Sequence, residues 1–422
     1  MDIPMLVEDR VVNEMGPDHT MALMKEGYLF IKNRTEQYQC SLFTTHLMGE
    51  KAICMSGIKA AKIFYDPERF TRTGAAPKRI QKTLFGENAI QGMNGTAHQH
   101  RKQLFLSLMT PEQQERLAQI TRAKLEVAIG NWRHQDHIVL FDEIKKILCA
   151  SACKWAGVPL KQLEIRGRAE DFSAMVDGFG AIGPRHFRGR SARNRAERWL
   201  SGMIEAVRSG RLKTLEGTAL HEIAFHNEPD GSLMNARMAA IELINVLRPI
   251  VAISTFITFA AVALHKHPEC KEKLRGGNRD YLEMFAQEVR RFYPFTPFVG
   301  ARVRKDFIWN ECYFDKGTLV LLDIYGMNHD SEIWKQPYEF IPERFMDQSE
   351  GLFEFIPQGG GNSAITHRCP GEGITVEVMK TVINFLVNRI VYTVPKQVLS
   401  YPARRIPTLP ESGFIMANIR LK

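Results

Sequence analysis

Residues 355–372 read FIPQGGGNSAITHRCPGE, a glycine-rich approach that delivers one cysteine, Cys369, to the foot of an apolar helix. In the following run, GITVEVMKTVINFLVNRIV, residues Ile374, Val378, Val382, Phe385 and Leu386 share one face at helical spacing, so Cys369 falls at a helix N-terminus. Aligned peptide dipoles and unpaired N–H groups favour an anion there, and the position predicts a thiol pKa below the ordinary value. Glycines let a backbone pass close to a flat porphyrin, and a thiolate on heme iron pushes electron density onto the metal and promotes O–O cleavage. An inert buried cysteine is the commonest alternative, but it has no need of three consecutive glycines. The stretch points to a heme-thiolate centre.

Upstream, FAQEVRRFYP (285–294) carries Glu288 and Arg291 at i, i+3 before an aromatic and proline stop. Alone, such a pair reads as a solvated helix contact worth about a few tenths of a kcal/mol. It is followed by NHD (328–330), Trp334, Pro337, PERF (342–345) and the cysteine loop, an order that resembles the C-terminal half of a cytochrome P450. A second PERF at 67–70 has no such company. The resemblance implies a mainly α fold with a small β part, and heme b held between a distal and a proximal helix. It makes Cys369 the axial iron ligand and gives Glu288, Arg291 and Arg344 a structural part, an ion-pair network that holds the proximal loop.

Two features depart from the common superfamily pattern. Phe355 lies fourteen positions before Cys369 because a segment is inserted after the glycines. The distal helix reads MAAIELINVLRPIVAIST (238–255), with Arg248-Pro249 in place of the usual acid and alcohol. Proline removes a helical hydrogen bond, and an arginine among apolar residues must find an anion. That anion is either a neighbouring carboxylate in the core or the carboxylate of a bound substrate.

With LFGENAIQGMNGTAHQHRKQLFLSLMTP (84–111) added, the chain resembles the bacterial fatty-acid peroxygenase branch of the cytochromes P450 over nearly its full length. The resemblance implies hydrogen-peroxide-driven hydroxylation of long-chain fatty acids at the alpha and beta carbons. Arg248 of the Arg-Pro pair, with Pro249, would clamp the substrate carboxylate, which then serves as base and acid toward peroxide. Gln91 would lie beside the heme on the substrate side, and Phe85 and Phe295 would line the pocket. Glutamine at position 91 marks hydroxylating members, whereas histidine marks those that decarboxylate to terminal alkenes. His98 and Lys102, at i, i+4, and His367 would donate to the heme propionates, although lone basic residues on helices are usually solvated. No redox partner protein would be required. A ferredoxin- or flavodoxin-dependent monooxygenase, a decarboxylase and a non-enzymatic heme sensor remain open alternatives.

Composition sets outer limits. The 422 residues, 44% of them hydrophobic, contain no linker, repeat or low-complexity tract, so one domain over 1–422 is expected. The N-terminus, MDIPMLVEDRVVNEMGPDHT, lacks the basic and apolar regions of a signal peptide. The longest apolar run, sixteen residues at 249–264, reads as a core helix too short to span a bilayer. Seven cysteines without framework spacing indicate a reducing, cytoplasmic setting, with Cys149 and Cys153 as packing residues. YLFIKN, SLFTTHLMG and KAICMSG read as strands, GIKAAKIFY as a helix, and Thr110-Pro111 as a helix start with a possible capping box at Gln113. Six arginines within 183–198 suggest either a solvated face or a rim that attracts fatty-acid anions, and the net charge of +9 would also fit docking to an acidic electron-transfer protein, so charge does not discriminate. No stacking platform accompanies them, so nucleic acid is not the expected partner.

Overall fold

Asn235 starts the helix around which the other elements gather. Its side-chain oxygen accepts the Met238 N–H at 2.8 Å, and the helix runs from Ala236 to Lys266. A helix apolar on nearly every side must be surrounded by protein or lipid. In the computed structural model, which describes residues 11–346 and 351–422, it is surrounded by helices Leu140–Ala156, Ile165–Gly178, Pro184–Arg208, Arg279–Phe292 and Glu372–Asn388. The sixteen-residue apolar run is only part of it, so length does not exclude a membrane span as the sequence suggests. The helix is 31 residues long and apolar enough to cross a membrane, and it is the burial of 94% of its most apolar window that marks it as a core helix. Of the N-terminal stretch lacking signal-peptide features, residues 1–10 lie outside the described residues.

A six-stranded sheet lies beside the helices in the order Val12–Asn13, Leu42–Leu47, Glu50–Met55, Leu319–Asp323, Phe298–Val303, Phe70–Thr71. The first pair and the pair Glu50–Met55 with Leu319–Asp323 are parallel, and the remaining neighbours are antiparallel. The chain is thus mainly α with a small β part, as the sequence predicts. Two of the three expected strands form this sheet's hairpin, but YLFIKN does not. It spans a short turn of helix, Gly27–Leu29, and the start of helix Phe30–Tyr38. Six residues are too few to separate the two periodicities, and Arg34, one turn beyond Phe30, decides the matter. Its guanidinium lies 3.8 Å from the centre of the Phe30 ring and donates to the Phe30 carbonyl at 2.9 Å. Gly27 makes the entrance possible: its φ is +59°, and a Cβ there would meet the Ala403 carbonyl oxygen at 2.2 Å.

Thr110 caps helix Pro111–Trp132 by accepting the Gln113 N–H at 3.4 Å. The arginine-rich segment lies on helix Pro184–Arg208 and is largely paired. Arg185, Arg188, Arg193 and Arg195 reach Asp177, Glu170, Glu197 and Asp171, whereas Arg190, Arg198 and Arg208 bond backbone carbonyls. Cys149 and Cys153 are buried, and among the described residues no cysteine enters a disulfide.

Asp323 ends a sheet strand in the interior. One carboxyl oxygen accepts the Gly326 N–H at 2.8 Å, the other has no partner among the described residues, and the side chain is 1% exposed. Burial pushes its pKa up from 3.8 to about 7, the Gly326 N–H opposing. An acid raised on folding contributes stability that is full below its unfolded pKa and is lost as pH rises through its folded one. Asp323→Asn retains an oxygen for Gly326 and cannot ionise. We expect equal urea midpoints for the two proteins near pH 4 and, at pH 8, a variant more stable by on the order of 2 to 4 kcal/mol.

Candidate active site

The cysteine loop closes on itself: the Cys369 N–H donates to the Gln358 carbonyl at 2.9 Å and the Gly361 N–H to that of Leu352 at 2.7 Å. Gly359 (φ +100°) and Gly361 (φ +82°) occupy left-handed conformations, and a Cβ on Gly360 would press on Tyr65 at 3.0 Å. The inserted residues form a compact turn in which Asn362 accepts the Ile365 and Thr366 N–H groups. Lys102, on helix Gly95–Ser107, anchors this turn by donating to the carbonyls of Thr366 (2.9 Å) and Arg368 (2.6 Å). Cys369 precedes helix Glu372–Asn388 as expected, but the expected low thiol pKa is not found. Burial pushes it up, and the opposing Gly371 N–H, Lys102 and Gln358 do not outweigh that. A helix end acts over about one turn, whereas the loss of water acts from all sides. A thiolate here needs a cation such as iron against it.

The ion-pair motif divides its work. Glu288 accepts Arg291 through both oxygens at 2.7 Å and also meets Arg344 at 3.1 Å. Arg291 spans the carbonyls of Asn328 (2.7 Å) and Pro337 (2.9 Å), so this trio clamps the NHD and PERF segments. The cysteine loop itself is held by the next-door Arg290, which the sequence reading missed. It donates to Gln358 at 2.9 Å and pairs with Glu372, whose other oxygen takes Arg368 at 2.6 Å.

On the central helix, Arg248 lies 7% exposed immediately before Pro249, and the helix continues past the proline. Six arginines are buried among the described residues, and Arg248 alone has no carboxylate within 4.0 Å. Its Nε has no partner among them, and Nη2 makes only a long contact of 3.5 Å with Asn245 Oδ1. Burial and the neighbouring Arg193 hold its pKa down to about 9, while Cys369 acts the other way, so guanidinium and thiol lie within electrostatic reach. The core carboxylate considered for Arg248 is therefore not its partner. The nearby candidate, Glu242, accepts from Arg101 (2.7 Å), the Ile90 N–H (3.0 Å) and Asn245 (3.0 Å).

Asn245 gathers three of the expected residues. Its Nδ2 donates to the Phe85 carbonyl at 2.8 Å and reaches Gln91 Oε1 at 3.4 Å, while its oxygen faces Arg248. Phe295 is elsewhere, packed 4.8 Å from the Phe256 ring on the central helix. The E-x-x-N-x-x-R spacing could have revealed Asn245, since i, i+3 residues share a face.

His98 and His367 stack with ring centres 4.0 Å apart, and Lys102 and Arg72 are close enough to depress both pKa values. Burial, then these cations, bring His98 down to about 4. Among the described residues none of the four has a carboxylate partner; Arg72, also missed in the sequence, rests on the Phe64 and Tyr65 rings at 4.4 and 5.3 Å. Four basic groups without an acid beside a cysteine on a glycine loop fit a dianionic porphyrin side chain pair and an axial thiolate.

The cytochrome P450 family model matches residues 253–399. Cytochrome P450EX alpha (CYP152N1) with myristic acid superposes with a TM-score of 0.94 at 42% identity, covering 98% of this chain and 100% of that one. Cytochrome P450SP alpha (CYP152B1) in complex with (R)-ibuprophen gives 0.94 at 44%, covering 96% and 100%. A variant of cytochrome P450 OleT in complex with arachidonic acid gives 0.95 at 35%, covering 98% and 99%. Curated relatives match over shorter stretches: cytochrome P450 4e5 of Drosophila mettleri is 33% identical over 150 residues, 31% of this chain. The match spans 28% of that relative's length, and the same share of the next two.

Removing Glu288, whose side chain is fully buried, strands two guanidiniums. Glu288→Ala is expected to lower stability by about 3 to 5 kcal/mol, read as a fall in the urea midpoint of the heme-loaded protein.

Proposed function

Because the chain belongs to the CYP152 family of the cytochromes P450, we propose that it uses hydrogen peroxide to hydroxylate long-chain fatty acids at the alpha and beta carbons. The observation that carries this reading is the buried Arg248, the one interior arginine left without a carboxylate among the described residues. A fatty-acid head group supplies the missing anion through charge-assisted hydrogen bonds. Two of the similar structures hold myristic and arachidonic acids, which supports an acid of that class here.

Heme b would be held by the Cys369 sulfur, with Arg72, His98, Lys102 and His367 toward its propionates. When bound, it supplies the oxidising chemistry that peroxide feeds. Arg248 fixes the acid so that its carboxylate can take a proton from one peroxide oxygen and return it to the other. Glu242, on the same helix, is committed to Arg101, Ile90 and Asn245, which leaves the proton transfer to the substrate carboxylate. Fixing the head group also fixes which carbons lie nearest the iron, so regiochemistry follows from distance. Gln91 donates and accepts hydrogen bonds without titrating near neutrality, which favours hydroxylation over loss of carbon dioxide. Phe85, whose carbonyl Asn245 holds, and Phe295, set apart from it against Phe256 on the central helix, would line different parts of the pocket.

Independence from a redox partner agrees with the cysteine side of the molecule. A cleft of about 570 Å³ passes Cys369 between Gln114, Glu283, Arg290, Arg368 and Glu377. Its charges are mutually paired, Lys380 with Glu283 and Glu377 and Glu372 with Arg290 and Arg368, so the cleft lining itself carries no surplus of positive charge. Cysteines without disulfides suit the cytoplasm.

Purified heme-loaded protein, given peroxide and a long-chain fatty acid with no reductase or nicotinamide, should form alpha- and beta-hydroxy acids. Turnover only with an electron-transfer partner would make it a conventional monooxygenase, and none under either condition a sensor. Arg248→Ala should lose about 2 to 5 kcal/mol in kcat/KM for fatty acids while keeping the carbon-monoxide spectrum of a heme thiolate. Gln91→His places a titratable group on the substrate side. Gas chromatography should show its alkene fraction rising modestly, with hydroxy acids still in the majority.

A further inference from the structure

We infer that, given Arg248 as the fatty-acid clamp, Glu242 positions it: the Glu242 carboxylate sets the direction of the Asn245 amide and, through it, the placement of the Arg248 guanidinium. Glu242, Asn245 and Arg248 follow one another at i, i+3 on the central helix and share a face. Glu242 has no exposed surface, and its two oxygens are divided. Oε1 accepts Arg101 Nη1 at 2.7 Å and the Ile90 N–H at 3.0 Å, whereas Oε2 accepts Asn245 Nδ2 at 3.0 Å. An ion pair to Arg101 alone would need only the first oxygen. The second faces the amide.

A carboxylate only accepts hydrogen bonds, so the NH2 end of Asn245 must point toward Glu242. Two further acceptors stand on that side, the Phe85 carbonyl at 2.8 Å and Gln91 Oε1 at 3.4 Å. With three acceptors gathered around Nδ2, Oδ1 is the end turned to Arg248 Nη2, at 3.5 Å. The same carboxylate holds the Ile90 N–H, one residue before Gln91. Clamp and substrate-side glutamine are therefore referenced to one anchor, and Arg101, also paired with Glu228 at 2.6 Å, ties that anchor to helix Gly95–Ser107.

Glu242→Gln tests this, because it keeps the size and reverses one polarity. The glutamine oxygen can serve Arg101 and Ile90, but its NH2 then faces the Asn245 NH2, donor against donor. If the asparagine rotates to relieve this, it presents NH2 to the guanidinium and loses the Phe85 carbonyl. On heme-loaded protein we expect the dissociation constant of a long-chain fatty acid, measured by calorimetry, to rise ~10-fold or more, the equivalent of one hydrogen-bonding defect at a charged group. The alpha-to-beta product ratio should change with it, and the carbon-monoxide spectrum should not. Glu242→Asp keeps the charge for Arg101 but draws back from Asn245, and should move both readouts less and in the same direction. Wild-type affinity and product ratio in both variants would overturn the proposal, as would a fall in stability alone. Should the glutamine variant fail to hold heme, the aspartate variant decides: intermediate values support the proposal and wild-type values sink it. Loss of heme in both would make Glu242 a folding anchor and overturn it too. Arg248→Ala run in parallel separates the two ideas. If that variant binds fatty acid normally, the clamp reading itself fails; if it loses binding while the Glu242 variants keep it, only the part given to Glu242 fails.

Discussion

An arginine taken out of water needs an anion within reach, and among the described residues Arg248 has no carboxylate within 4.0 Å, while the other buried carboxylates are engaged elsewhere. Glu242 is held by Arg101, Glu197 by Arg193 and Arg237, Glu288 by Arg291 and Arg344, and Glu372 by Arg290 and Arg368. Removing one partner from a buried pair is far more damaging than never having buried it, so these carboxylates cannot be lent out. Among the described residues this leaves Arg248 as the one buried arginine without a carboxylate, on the side of the central helix toward Asn245 and Gln91. The surrounding helices supply the desolvation, and the polar chain through Asn245 supplies the direction.

The cysteine loop is built on the opposite principle. Its backbone bonds are closed and Arg368 is paired with Glu372, with Lys102 drawing the inserted turn inward from the helix on one side and Arg290 fixing Gln358 and Glu372 from the other. Rigidity on this side and an unfilled electrostatic demand on the other divide the molecule into a fixed support and a receptive face. Catalysis by positioning needs both.

Much of this was legible in the sequence, for identifiable reasons. A glycine run before a lone cysteine is a local signal, because the backbone itself carries the constraint, and an arginine-proline pair in an apolar helix is conspicuous because both residues are costly there. Partners distant in sequence were not legible. Arg72, Arg290 and Asn245 look like ordinary polar residues until the fold brings Gln358, His367 or Phe85 beside them. YLFIKN was misread because its period is set by an arginine stacked on Phe30 rather than by its own pattern. The low thiol pKa failed because a dipole is visible in a sequence, while burial is a property of the assembled whole.

That raised thiol pKa has a chemical meaning of its own. Nucleophilic attack and oxidation by peroxide proceed through the thiolate, so a cysteine kept protonated is slow to react with either. A chain proposed to consume peroxide thus surrounds its ligand sulfur with a setting that disfavours sulfenic acid formation. Loss of water and iron ligation would guard the same sulfur by different means, one by disfavouring the thiolate and the other by occupying it.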